Sequence, residues 1–472
     1  MAKIVVLPLW LALAAGAVAA WALCFHILLP GIRWFFRRRE EIFIQKIHKH
    51  LNLRLPAFKL TRKKVIVDRL MSDPSVLKAI DEHAQEQKIP AEAAMKMAES
   101  YAREIVPSFH AYAYFLLGSM VGLSLSRLLY RVRVGYADEE GLAKVPPLST
   151  VVFVMNHRSN MDYILLGSLT ARRAVLSFAV GEWARVWPVK PLVKALGAYF
   201  VRRHSGNTLY RRVLARYVQM TIEGGLVQAV FPEGKLSRDG RLHEPKLGLL
   251  DYMLRDFSPD GERDLVFIPA GINYDRVLED RTLLLEGMPG AKNDWKKALF
   301  TTLSFILRNI WLMLRGGWHR FGYANVYFGA PFSIQDYAQA QAIDFRRLSK
   351  DARIKQVQRL ADELFDRVGR MVPVLPVSLI ASVFTHDPGK LFTDAEIYAK
   401  AFELIDNLKS NGAQVYIPRQ DRNYAIQVGL RMLTLRHLVQ KDEGGYRAAA
   451  SEMRILDYYA GSVSHLVRSK KE

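Results

Sequence analysis

Between residues 150 and 330, short apolar runs alternate with stretches of helical periodicity. The runs at 150–155, 174–180, 198–201, 227–231, 264–273 and 324–328 are strand-length and read as strands, and helices are expected near 161–171, 207–223 and 246–257. Strands separated by helices build a central, mostly parallel sheet with helices layered on it, so the expected class is α/β. At 472 residues the chain exceeds one ordinary domain, and helical patterns precede and follow the alternation. Four regions result: a transmembrane anchor at 1–32, a helical N-terminal region with an apolar, membrane-associated helix at 33–145, the α/β core at 146–340, and a helical C-terminal region at 341–472. Within the last, 345–371 reads as one charged amphipathic helix.

From Ile4 to Leu29 the sequence is almost uninterruptedly apolar, long enough for the ~20 residues that cross a bilayer. Ala17-Val18-Ala19-Ala20 resembles a signal-peptide cleavage site, but the apolar run outlasts an ordinary signal core, so an uncleaved anchor is expected. Only Lys3 precedes it, whereas Arg33, Arg37, Arg38 and Arg39 follow. The positive-inside tendency then places the remainder on the cytoplasmic side of the inner (plasma) membrane. A second apolar segment, Phe109 to Tyr130, contains Gly118 and Gly122 and is followed by Arg131 and Arg133. It suits a buried or interfacial helix better than a second crossing, which would carry Val134 onward to the side opposite Arg33. Asp73 or Ser72 before Pro74 is the expected cap of a helix in the N-terminal region.

The net charge of +21 requires an anionic partner. Cations interleave with apolar residues, as in Arg33-Trp34-Phe35-Phe36-Arg37, which points to membrane lipids and away from nucleic acid. Cys24 is the single cysteine, which excludes an intrachain disulfide and a cysteine-based zinc site.

Chemistry concentrates where strands end. His157-Arg158-Ser159-Asn160-Met161-Asp162 follows the strand at 150–155. Inside one helix, residues five apart stand about 140° apart, so His157 and Asp162 meet only across a strand-to-helix turn. With Ser159 or Asn160 as N-cap, Asp162 enters the first helical turn and can hold one imidazole nitrogen while the other faces substrate. That arrangement suits a general base for an alcohol. H-x4-D alone also fits a structural histidine, so its company matters.

Gly197-Ala198-Tyr199-Phe200-Val201-Arg202-Arg203 ends a second strand in paired arginines, whose forks match phosphate, although a solvated strand end would read alike. Phe231-Pro232-Glu233-Gly234-Lys235-Leu236-Ser237-Arg238 follows a third strand. Lys235, Ser237 and Arg238 can surround a phosphate, Gly234 permits a tight loop, and Glu233 is assigned to orienting a cation or substrate hydroxyl. The fourth stretch, Val266 to Asp275, contains Pro269 and Gly271, which point to a bulge or close backbone approach, and ends at Tyr274.

Four such blocks in this order resemble those of the glycerolipid acyltransferases: H-x4-D, G-x-x-F-[IV]-R-R, F-x-E-G-x-x-S-R and an I-P strand ending near tyrosine. The details look like the bacterial and mitochondrial glycerol-3-phosphate acyltransferases, with His157-Arg158-Ser159, Arg202-Arg203 followed by Gly206-Asn207, Tyr274-Asp275 with Glu279, and Leu456-Asp457-Tyr458-Tyr459 with His465. Where that family has arginine in the third block this chain has Leu236, for which Lys235 or Arg241 is the substitute. The N-terminal span looks like an addition to the family pattern.

This resemblance implies a layered acyltransferase domain at 146–340 and acyl transfer from acyl-CoA or acyl-carrier protein to the sn-1 hydroxyl of glycerol 3-phosphate, giving lysophosphatidate. His157 and Asp162 would be catalytic. Arg158, Ser159, Arg202, Arg203, Glu233, Gly234, Lys235, Ser237, Arg238 and Tyr274 would bind substrate. A backbone N–H at the start of the helix after His157 is the expected oxyanion donor. No metal or cofactor beyond the acyl thioester is expected. Rival readings are acylation of lysophosphatidate or dihydroxyacetone phosphate, and a catalytically dead, basic membrane-binding protein. A serine esterase is disfavoured because no G-x-S-x-G occurs.

Overall fold

Eight strands form one sheet: β1 (Arg131–Tyr136), β2 (Thr150–Met155), β3 (Ser177–Val180), β4 (Tyr199–Phe200), β5 (Gln228–Val230), β6 (Leu265–Tyr274), β7 (Tyr323–Phe328) and β8 (Phe332–Ser333). The computed structural model describes residues 56–115, 121–170, 174–181, 189–202, 205–286, 315 and 319–467. Neighbours run β1-β7-β6-β2-β5-β3-β4, with β8 against β6. β7 and β8 are antiparallel to β6, and the other pairs are parallel. The sheet is thus mostly parallel, as its helix-separated strands require.

Alternation along the strands makes the layers. In β2, Val152 and Val154 join one apolar core and Phe153 and Met155 the other, because successive strand side chains point to opposite faces. The first core packs helices Lys63–Met71, Pro74–Gln87, Ala91–Ile105, Thr208–Glu223, Gly248–Leu254 and Lys350–Met371. Helices Met161–Thr170, Pro376–His386, Arg422–Leu435 and Met453–Gly461 cover the second. Both terminal regions therefore supply outer layers of the same sheet.

All six expected strands are present, with β3, β4 and β5 shorter than expected. β1 falls in a region expected to be helical: its Arg-Val-Arg-Val alternation belongs to an exposed edge strand, which lacks the apolar run used to recognise the others. A hairpin, β9 (Val439–Asp442) with β10 (Gly445–Ala448), likewise interrupts the helical C-terminal region, turning through Gly444 at φ 90°. Asp73 is the expected cap: with Pro74 in the first helical turn, its carboxylate accepts from Ser75 N at 3.0 Å.

The close approach expected at Gly271 exists, but its neighbour is protein. A Cβ there would lie 2.2 Å from the Met371 carbonyl, where the helix Lys350–Met371 ends against β6. The β2–β6 register runs unbroken from Thr150–Leu265 to Met155–Ala270, but on the other side of β6 the pairing shifts by one residue between Ala270–Phe328 and Phe267–Phe332, so the expected bulge lies opposite Ile268-Pro269, with the extra residue in the facing segment 329–331.

The expected anchor at 1–32 lies outside the described residues. Among the described residues no helix is long and apolar enough to cross a membrane. β2 to β6 share one direction, so their carboxyl ends open together at one end of the sheet, where crevices of open α/β sheets bind ligands.

Candidate active site

β2 stops at Met155 and the next helix begins at Met161, which leaves Asn156 to Asn160 to turn the chain. Asn156 anchors this turn to β6, donating to Ile272 O at 2.9 Å and accepting from Ile272 N at 2.8 Å. His157 and Asp162 are consequently brought together: Nδ1 lies 2.8 Å from Asp162 Oδ2. The same oxygen accepts from Arg158 N at 2.7 Å and Ser159 N at 3.1 Å. Oδ1 accepts from the Tyr274 hydroxyl at 2.7 Å. Both members of the pair are buried, His157 at 3% and Asp162 at 0% exposure. With Nδ1 donating to the carboxylate, Nε2 carries the lone pair. It faces the Tyr163 hydroxyl at 3.4 Å, and the ring stacks on Phe231 at 4.2 Å between centroids.

The block after β5 supports this turn from the other side. Glu233 accepts from His157 N at 3.0 Å and His243 N at 3.2 Å, and Ser237 N donates to His157 O at 3.0 Å. Burial pushes the Glu233 carboxyl up to about 7, against these backbone donors. Glu233 was expected at a cation or substrate hydroxyl; instead its oxygens hold backbone. Gly234, at φ 70°, closes the loop through its N–H to Phe231 O at 2.9 Å.

A cleft of 240 Å³ opens beside His157. Tyr163, Val180, Val201, Leu214, Phe231 and Leu250 give it an apolar wall, Gly234 borders it, and Arg202, Arg211 and Lys246 add cations. Arg202 is held by Glu104, Nη2 to Oε2 at 2.5 Å, between the rings of Tyr101 and Tyr210. Arg203 lies outside the described residues.

Other expected substrate contacts are turned to internal work. The Ser159 hydroxyl donates to Glu279 Oε2 at 2.7 Å and accepts from Met161 N at 3.1 Å. Burial raises the Glu279 carboxyl. Tyr274 is fully buried and serves Asp162. Arg158, 2% exposed, donates to Gly240 O and lies 4.6 Å over the Tyr458 ring, while its Nε and Nη2 find no hydrogen-bond partner. Ser237 donates to Arg241 O at 2.8 Å, and Lys235 and Arg238 are exposed outside the cleft lining. Leu236 packs partly buried against the core.

The oxyanion expectation also changes. The N–H groups of Arg158, Ser159, Asn160, Met161 and Asp162 are directed to Asp162, Asp162, Glu279, Ser159 Oγ and Ser159 O respectively. Each of these five donors is thus already engaged, four within the turn and that of Asn160 with Glu279.

Sequence reasoning missed Arg211, Lys246, Tyr163 and Phe231 as cleft residues. Arg211 follows the Asn207 cap by four residues, and the helix Thr208–Glu223 turns it toward the cleft. Lys246 is brought in by its own N–H, which bonds Pro232 O at 2.9 Å, a long-range return that no local spacing announces. Among the described residues no group of three or more His, Cys, Asp or Glu is placed to hold a metal ion.

The family model described as Acyltransferase matches residues 137–273, and that described as Glycerol-3-phosphate acyltransferase C-terminal region matches 309–469. A glycerol-3-phosphate acyltransferase of Pseudomonas syringae pv. syringae (strain B728a) is 29% identical over 68% of this chain and 38% of its own length. Those of Pseudomonas fluorescens (strain SBW25) and Pseudomonas entomophila (strain L48) are 28% and 27% identical, over 73% and 86% of this chain and 41% and 49% of their own lengths. The chain therefore spans less than half the length of these curated relatives. The crystal structure of a 1-acyl-sn-glycerophosphate acyltransferase from Thermotoga maritima aligns with 20% identity over 52% of this chain and 77% of that one, at a TM-score of 0.29. Two family models, one over residues 137–273 and one over 309–469, together with these relatives, support a chain like the glycerol-3-phosphate acyltransferases within the glycerolipid acyltransferases.

Proposed function

We propose that the protein transfers a fatty acyl group from an acyl thioester, acyl-CoA or acyl-carrier protein, to the sn-1 hydroxyl of glycerol 3-phosphate, forming lysophosphatidate. The observation that carries this reading is the buried His157–Asp162 pair, 2.8 Å apart, on the wall of a cleft that is apolar and also bordered by cations. The relatives' printed names supply the acceptor.

Nε2 of His157 takes the hydroxyl proton as the alcohol oxygen attacks the thioester carbonyl. Asp162 holds the ring in the required tautomer and stabilises the imidazolium. When the tetrahedral intermediate collapses, the C–S bond breaks and the thiolate receives the proton from Nε2. No acyl-enzyme is formed, and no cofactor beyond the thioester is needed. The Tyr163 hydroxyl, 3.4 Å from Nε2 and 3.4 Å from Ala179 O, would turn from that carbonyl to donate to the developing oxyanion. Arg211 and Lys246 receive the acceptor phosphate, with Arg202 steadied behind them by Glu104.

Product and donor chain both belong to a bilayer, so membrane lipids are the expected partners. The basic, apolar N-terminal sequence fits an anchor in the inner (plasma) membrane with the catalytic part on the cytoplasmic side. Competition among glycerol 3-phosphate, dihydroxyacetone phosphate and lysophosphatidate for one acyl donor tests the acceptor. Preference for either of the last two would overturn it.

A further inference from the structure

At the end of the sheet that carries His157, a second surface combines arginines with exposed apolar residues. Strand register fixes its place. β2 ends at Met155 opposite Ala270, β6 runs on to Tyr274, Tyr274 pairs with Ala324 near the start of β7, and Tyr323 pairs with Arg131 at the start of β1. Arg131 therefore stands at the same end as His157, toward the sheet edge opposite β4. Arg127, Arg131 and Arg320 line one concavity there, and Arg131, Arg320 and Arg431 line another of 260 Å³. No carboxylate lines either concavity. Among the described residues none of these four arginines has an ion-pair partner.

The helix leading into β1, Gly122–Leu129, completes the surface. Val121, Leu125 and Leu128 are 51, 38 and 44% exposed, while Gly122 and Ser126 are buried. Positions four and three apart form a single stripe on a helix. That helix packs on Met161–Thr170, the helix that follows His157. An aliphatic stripe bordered by unpaired arginines matches a lipid interface, where alkyl side chains enter beneath the phosphates and guanidinium groups rest on them. Nucleic acid would use the arginines and leave the stripe in water.

We propose that this surface docks the His157 end of the sheet onto an anionic phospholipid bilayer, with Val121, Leu125 and Leu128 in the interface and Arg127, Arg131, Arg320 and Arg431 on lipid phosphates. The docking gives the proposed acyl transfer its orientation and rests on that reading for its purpose. Its geometry stands without it. Each arginine contributes about fivefold to surface affinity.

Cys24 is the chain's single cysteine, so the full chain with Cys24→Ser and Leu125→Cys carries one environment-sensitive dye. After reconstitution in phosphatidylcholine vesicles with or without phosphatidylglycerol, nitroxide lipids are expected to quench this dye most strongly on the anionic vesicles. A dye at Lys78→Cys, on a helix over the other face of the sheet, stays unquenched. Added salt and the combined Arg127→Glu, Arg320→Glu and Arg431→Glu changes both reduce the Leu125→Cys signal, while transfer in detergent persists. His157→Ala removes transfer and keeps the quenching, which separates failure of docking from failure of the enzymatic reading. The proposal is overturned if the dye is not quenched by lipid, or if neither salt nor charge reversal changes its quenching. A dye shielded from lipid and aqueous quenchers alike would also overturn it, since another part of the chain would then cover the stripe.

Discussion

The Tyr274 hydroxyl donates to Asp162 Oδ1 at 2.7 Å while His157 Nδ1 engages Oδ2 of the same carboxylate at 2.8 Å. Tyr274 ends the strand β6 that pairs with β2, the strand leading into His157. Two parallel strands thus fix the two ends of one hydrogen-bonded relay.

Tyr274→Phe leaves the packing and removes that donor. The carboxylate that holds the His157 ring then keeps one side-chain partner instead of two, and kcat falls about tenfold. Asp162→Asn costs more, roughly a thousandfold in kcat. KM for glycerol 3-phosphate changes little in either variant. An unchanged kcat in Tyr274→Phe, measured at saturating substrate, would contradict the relay.

Arg211 and Lys246 border the cleft, whereas Lys235 and Arg238 do not, so the proposed function assigns the acceptor phosphate to the first pair. Arg211→Met and Lys246→Met each raise KM for glycerol 3-phosphate about tenfold or more, with kcat little changed, because each loses a charge-assisted hydrogen bond. Lys235→Ala and Arg238→Ala keep KM near the parent value. The reverse pattern would return the phosphate to the third sequence block.

Glu233 and Asp275 are carboxyls raised by burial from 4.5 and 3.8 to about 7 each. Between the unfolded and folded values the folded chain holds more protons, so these groups lower stability progressively as pH rises through that window. Their penalty is absent below the unfolded values and complete above about 7. Glu233→Gln removes one of the two contributions while keeping an acceptor for His157 N. The unfolding midpoint of the variant therefore falls less steeply than that of the parent from about pH 5 to about pH 7.5. Parallel slopes would show that Glu233 titrates normally.

Local sequence carried the parts of this molecule that local physics determines. The run Thr150–Met155 and the turn into Met161 were legible because β-branched strand residues, a turn and a helical apolar pattern follow one another. The His157–Asp162 contact was legible because only a turn allows that spacing to close. Roles that depend on distant partners were not. Tyr274, Ser159 and Glu233 carry polar groups that read as substrate contacts, yet Asp162, Glu279 and the His157 backbone take them up. Arg211 and Lys246 carry no motif and reach the cleft only through a helix and a long-range loop closure. β1 was missed because charged alternation at a sheet edge resembles a polar linker.

The most direct test follows thiol release from palmitoyl-CoA and from an acyl-carrier protein by the full chain in detergent, with and without glycerol 3-phosphate, beside His157→Ala. Release that requires glycerol 3-phosphate and disappears in the variant is the result predicted. Release that is independent of acceptor, or that survives loss of His157, would contradict base-catalysed acyl transfer at this site.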